Sequence, residues 1–189
     1  MPIKVVSKIV NGVKGGVKGA LEGAADVGST IVTSVKDVAV TAIKGTGELV
    51  VKGLQVPASI VKGSIEGISN IGVSFIKAIK GIVNGAVQGA MAGGVDQKDA
   101  VRGSVQQAMY SAKELGENVG LVAGAAVVGA VNGVKQVGGD TAAATKTAII
   151  AAMDAARDIG GGTADAVKES LNDSVEGAKK VLNEFKFDK

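Results

Sequence analysis

The side chains able to do chemistry in this sequence are almost all lysines and carboxylates. Twenty-one Lys and Arg stand against 18 Asp and Glu, with no His, no Cys and no Trp. Without Cys there is no thiol nucleophile, no disulfide framework and no zinc-thiolate site. Without His the commonest general base and metal ligand is missing, and with it any Ser-His-Asp triad. Gly-Lys never occurs and no G-x-G-x-x-G stands anywhere, so neither phosphate-cradling loop is written here. The sequence therefore predicts no enzyme, no catalytic residue, no cofactor and no metal. Arg102 and Arg157 are the two arginines. Arg is the residue suited to bidentate recognition of bases, so specific nucleic-acid reading is not expected either.

The lysines matter through their spacing. Written in elevens from Pro2, the chain repeats seventeen times over residues 2–188 without insertion or deletion. Early copies read PIKVVSKIVNG, VKGGVKGALEG and VKDVAVTAIKG; a later one reads VKESLNDSVEG. The second position is basic in ten copies, among them Lys14, Lys36, Lys80, Arg102, Lys135 and Lys168. The fifth is always Val, Ile, Leu, Gly or Ala, and the last is small in fourteen.

Eleven residues in three turns is about 3.67 per turn, close to a relaxed α-helix. Positions 4, 8, 1, 5 and 9 then share one arc of the helix. Random placement of the charges would put about 17 or 18 on that arc; it holds two, Lys98 and Lys186. This predicts an all-α chain of long amphipathic helices, as a hairpin or as an oligomeric right-handed coiled coil or bundle. The apolar face includes Val5, Val17, Val27, Val38, Leu49, Ile60, Ile71, Ile82, Val127 and Ile149. Lys14, Lys36, Lys80, Arg102, Lys135 and Lys168 border it, and Asp26, Asp37, Glu48, Glu114 and Glu169 lie opposite. Lysine stems can lie along an apolar surface while the ammonium reaches phosphate.

Breaks are expected near Pro57, at a hinge over 93–96, near 138–140 and at 160–162, the last with Thr163 as cap. The helices would run over about 3–55, 58–92, 97–137, 140–158 and 163–186, with a hairpin at 93–96 joining two halves. Residues 2–89 carry ten Lys and five acids, whereas 90–189 carry eleven basic and thirteen acidic residues. Stretch 118–134 is the nearest to a membrane span, uncharged but rich in Gly and Ala. No secretory signal is expected, since Lys4 and Lys8 interrupt the first apolar stretch.

Gly is 29 of 189 residues, about twice its usual share of roughly 7%. Gly81, Gly85, Gly89 and Gly93 form a row at every fourth residue, the spacing that lets helix backbones approach. Each interior Gly weakens a helix by about 0.8–1 kcal/mol relative to Ala. Four aromatics, Phe75, Tyr110, Phe185 and Phe187, supply little bulk. Isolated helices of this kind should not persist in water. Their arc must be covered by other helices, another copy or lipid.

The copies VKGGVKGALEG and VKESLNDSVEG resemble the repeats of the synuclein and perilipin type of lipid-surface protein, and the chain's period resembles that of hendecad coiled coils. The resemblance implies peripheral attachment of an intracellular protein to a lipid or membrane surface. The alternative is a self-associating scaffold or stalk, a homo-oligomer that anchors a partner protein complex at a membrane.

Overall fold

A computed structural model describes residues 2–21, 27–46, 55–69, 72 and 74–184. Among them the regular elements are all α-helices: α1 (Pro2–Leu21), α2 (Val27–Thr46), α3 (Gln55–Ile68), α4 (Phe75–Ala92), α5 (Gln97–Glu114), α6 (Val119–Gln136), α7 (Thr141–Ile159), α8 (Thr163–Ser174) and α9 (Ala178–Glu184). The protein is all-α.

Local chemistry sets the ends of the central helices. Gly94 and Gly116 adopt φ of 97° and 72°, a left-handed conformation in which a Cβ is strained. Each turn is closed by a bond back into the helix: the Val95 amide donates to the Ala90 carbonyl and the Glu117 amide to the Ala112 carbonyl, both at 2.9 Å. Two residues beyond each of these glycines a polar side chain caps the next helix. Asp96 accepts from the Lys98 amide at 2.9 Å and Asn118 from the Leu121 amide at 3.1 Å. Asp140 likewise accepts from the Ala143 amide at 3.0 Å. Satisfying these amides stabilises each helix start by about 1 kcal/mol.

The turns recur at a fixed interval. Gly72, Gly94, Gly116, Gly138 and Gly160 all have positive φ, each 22 residues after the last. The helix starts at Phe75, Gln97, Val119, Thr141 and Thr163 keep the same interval. Twenty-two is two elevens, so one helix and its turn use two copies of the sequence pattern. Short connections between packed helices, four residues long at Gly94, Gly116 and Gly138, force the chain to reverse at each turn.

Each helix packs on its neighbour and on the next but one. The largest contacts join α4 to α6, α1 to α3 and α2 to α4, followed by α3 to α5, α5 to α7 and α6 to α8. The result is a two-row ladder, with α1, α3, α5 and α7 in one row and α2, α4, α6 and α8 in the other. The short α9 rests on α7 and α8. The core runs between the rows. In α1 it takes Ile9, Val13, Val17 and Leu21, and in α2 Ile31, Val35, Ala39 and Ile43, every fourth residue and each no more than 2% exposed. Its side chains are almost all Ala, Val and Ile, so the rows come close together.

Several boundaries differ from the sequence expectation. The helix expected over 3–55 is at least two, α1 and α2. The helix expected over 97–137 is broken by the Gly116 turn into α5 and α6. The amphipathic pattern reads straight through that turn because both helices keep the same phase, and pattern alone does not register the reversal. Pro57 does not break a helix: it is the third residue of α3, in the first turn, where its missing N–H has no intrahelical acceptor to lose. The helix expected over 163–186 stops at Ser174, and the chain turns through Gly177, with φ 81°, into α9. In place of one hairpin at 93–96 the described chain folds back repeatedly, and the longest helix has 20 residues.

Candidate functional site

The feature that recurs along the ladder is a seam that joins α1 to α3, α2 to α4 and α4 to α6. It is made by glycines on one helix and carbonyls on the other. A methyl group on Gly63 would stand 2.5 Å from the Val10 carbonyl oxygen, and one on Gly67 would stand 2.9 Å from that of Lys14. Gly85 and Gly89 meet the Val32 and Lys36 carbonyls in the same way, at 2.5 and 2.8 Å. Gly129 and Gly133 meet those of Lys80 and Asn84, at 2.5 and 2.7 Å. A Cβ at any of the six would push the two backbones apart. Gly81 faces Ile31 and Gly93 faces Ile43, so the row Gly81, Gly85, Gly89 and Gly93 lies against α2 along its length.

Val17, Ile60, Ile82, Val127 and Ile149 are fully buried, and Val38 is half-buried against the core. Their cover is the chain's own neighbouring helices. Val5, Val27, Leu49 and Ile71 lie outside the described side chains. Lys14, Lys80 and Lys135 are exposed, and Lys36, Arg102 and Lys168 are half-buried. These six do not converge on one place. They are spread along the ladder, and two of them make rungs across it.

Lys14 on α1 pairs with Glu66 on α3 at 3.7 Å, and Arg102 on α5 pairs with Asp154 on α7 at 3.1 Å. Both pairs span 52 residues. Further along α5 and α7, the Tyr110 hydroxyl donates to Asp158 at 2.7 Å. Partial burial, the hydrogen bond to Asp158 and its negative charge together push the Tyr110 phenol up to about 12. Between α4 and α6, Gln88 donates to Asn84 on its own helix at 2.7 Å and to Gln136 at 3.1 Å. Gln97 clamps the start of α7: it donates to the Asp140 carbonyl at 2.8 Å and accepts from the Asp140 amide at 3.0 Å.

Sequence reasoning did not single out these partners, although the signal is present. Glu66, Gln88, Tyr110, Asn132, Asp154 and Glu176 follow one another every 22 residues, all at the tenth position of the repeat and all able to hydrogen-bond. Position ten was overlooked because it lies off the apolar arc.

Among the described residues no three acidic side chains gather as a metal would require. A groove of about 450 Å³ is open and lies beside α6 where α8 stops short, between Val128, Val131, Thr145 and Val175. α6 is long and apolar enough to cross a membrane by length and composition, and 56% of it is buried inside the protein. Its contacts with α4, α5, α7 and α8 make it an interior helix of the ladder, and core helices share that composition. No protein-family model, curated protein or solved structure matches the chain.

Proposed function

We propose that this protein is a non-catalytic helical scaffold, a homo-oligomer built by self-association that can hold a partner protein complex at a membrane. One observation carries the reading. The glycine-to-carbonyl seam is used at three places within the chain, and each time it joins helices distant in sequence. A surface that repeats itself in this way extends naturally from one copy to the next. The hendecad pattern is then a rule for stacking short helices, as it is for winding strands in a right-handed coil. Sedimentation in lipid-free buffer tests it: the mass should rise with concentration. A chain that stays single at every concentration overturns it.

A second reading, attachment to an anionic lipid surface as a peripheral intracellular protein, is favoured by α1. That helix carries Lys4, Lys8, Lys14 and Lys18 and no acidic residue. Attraction of roughly 1 kcal/mol per basic residue near an anionic surface adds up over such a helix. The resemblance to synuclein-type repeats points the same way. Flotation with phosphatidylserine vesicles tests it: binding that salt abolishes supports lipid, and absence of binding at low salt rules it out.

A further inference from the structure

The regular succession of helix and turn breaks off at α8. α4, α5 and α6 have 18 residues each, and α8 has 12. Left-handed glycines stand at 94, 116, 138 and 160, and the same interval of 22 leads next to Leu182. The bend comes earlier, over Val175, Glu176, Gly177 and Ala178. Val175 is extended, at φ −123° and ψ 115°, and Gly177 has φ 81°. The Ala178 amide donates to the Val175 carbonyl at 3.2 Å. A left-handed third residue behind that bond makes a type II turn. One glycine therefore separates α8 from α9.

The sequence on both sides of that turn reads as a single helix. Val167, Leu171 and Val175 are buried along α8. Ala178 and Leu182 follow Val167 and Leu171 by eleven residues, the period that keeps the stripe in phase. α9 has seven residues, too few for a helix to hold itself, and its Val181 and Leu182 are half-buried. The groove of about 450 Å³ lies where a longer α8 would continue. Gly120 faces Ala166, and Gly124 faces Ser170 and Ser174, so α6 and α8 lie in parallel. Ala166 and Ser170 each stand 46 residues beyond their glycine. Carried forward, that register brings Ala178 to Asn132 and Leu182 to Gln136.

We infer that the turn at Gly177 is a hinge, and that α8 and α9 also join as one straight helix that closes the groove beside α6. The bent form rests α9 on α7 and α8 and leaves Val128 and Val131 half-buried at the groove. The straight form adds helical hydrogen bonds and covers them. Glycine permits both, because it takes the left-handed and the helical conformation alike.

Two substitutions select between the forms. Gly177→Ala strains the left-handed turn and favours the helix. Glu176→Pro does the reverse. Pro suits the second residue of a type II turn and an extended residue before it, as Val175 already is, and it breaks a straight helix. The chain has no Cys, so Asp165→Cys and Asn183→Cys, both at exposed positions, carry the only two spin labels. Five helical turns lie between them, so a straight helix holds both on one side about 27 Å apart. Electron–electron resonance should show that separation alone in Gly177→Ala, a shorter one alone in Glu176→Pro, and both with the natural turn. With Asn132→Cys as the only thiol instead, a water-soluble maleimide should react several-fold more slowly in Gly177→Ala than in Glu176→Pro. A natural turn without the longer separation overturns the hinge. So does a Gly177→Ala chain that keeps the shorter one or loses helicity by circular dichroism. Equal maleimide rates in two forms that differ in separation overturn the closing of the groove.

Discussion

Arg102 reaches Asp154 at 3.1 Å across 52 residues of sequence, and Lys14 stands to Glu66 at the same separation, 3.7 Å apart. Two ion pairs at one sequence interval show that α1 meets α3 much as α5 meets α7. Both pairs are partly exposed, so they set register more than they add stability. A double-mutant cycle with Arg102→Ala and Asp154→Ala should give a coupling of about 0.5–1 kcal/mol that fades with salt. Coupling indistinguishable from zero at low salt would remove the rung.

The glycines separate interior from edge. Gly85→Ala should destabilise the chain by about 1–3 kcal/mol even though Ala favours the helix, because the added methyl meets the Val32 carbonyl oxygen. Gly19→Ala, at the open edge, should stabilise it by about 0.5–1 kcal/mol. Urea unfolding at protein concentrations low enough for single chains reads both. The same sign at the two positions would mean that the seam is not packed as described.

Tyr110 is the single tyrosine, so its phenolate absorbance reports one site. Its pKa is raised from 10.0 to about 12 by burial first, then by the bond to Asp158. The folded state therefore favours the protonated phenol. The resulting stabilisation is complete below pH 10 and is lost as pH rises through about 12. At pH 11 roughly a tenth of the phenol should be ionised in the folded chain and roughly nine-tenths in urea. Asp158→Asn should move the folded midpoint down. A midpoint near 10 in the folded protein would deny the α5–α7 contact.

The turn at Gly116 divides what the pattern reads as one helix. Gly116→Ala places a Cβ at φ 72° and should cost about 1–2 kcal/mol. Asn118→Ala removes the cap on α6 and should cost about 1 kcal/mol. If Gly116→Ala raises stability, α5 and α6 are one continuous helix.

The legible parts of the fold are those that depend on local pattern. The eleven-residue period places Val17, Ile60, Ile82, Val127 and Ile149 on one face, and they are buried. The glycine row from Gly81 to Gly93 lies against α2, with Gly85 and Gly89 on its backbone, and spacing and size are enough to recognise it. The fold-back at Gly116 was hidden because an insertion-free repeat carries the same phase through helix and turn alike. Leu115-Gly116-Glu117-Asn118 repeats Gly94 and Asp96 at an interval of 22, so twice the sequence period was the scale at which to search. Partners such as Glu66 and Asp154 depend on which helices become neighbours, and that is settled by the turns and not by the stripe.

Among the described residues, the apolar stripe is covered by the chain's own helices. Circular dichroism during urea unfolding in lipid-free buffer, at dilution where copies are apart, tests it most directly. A strongly helical chain that unfolds in one cooperative transition is expected. A largely disordered chain that becomes helical only when anionic vesicles are added would contradict it.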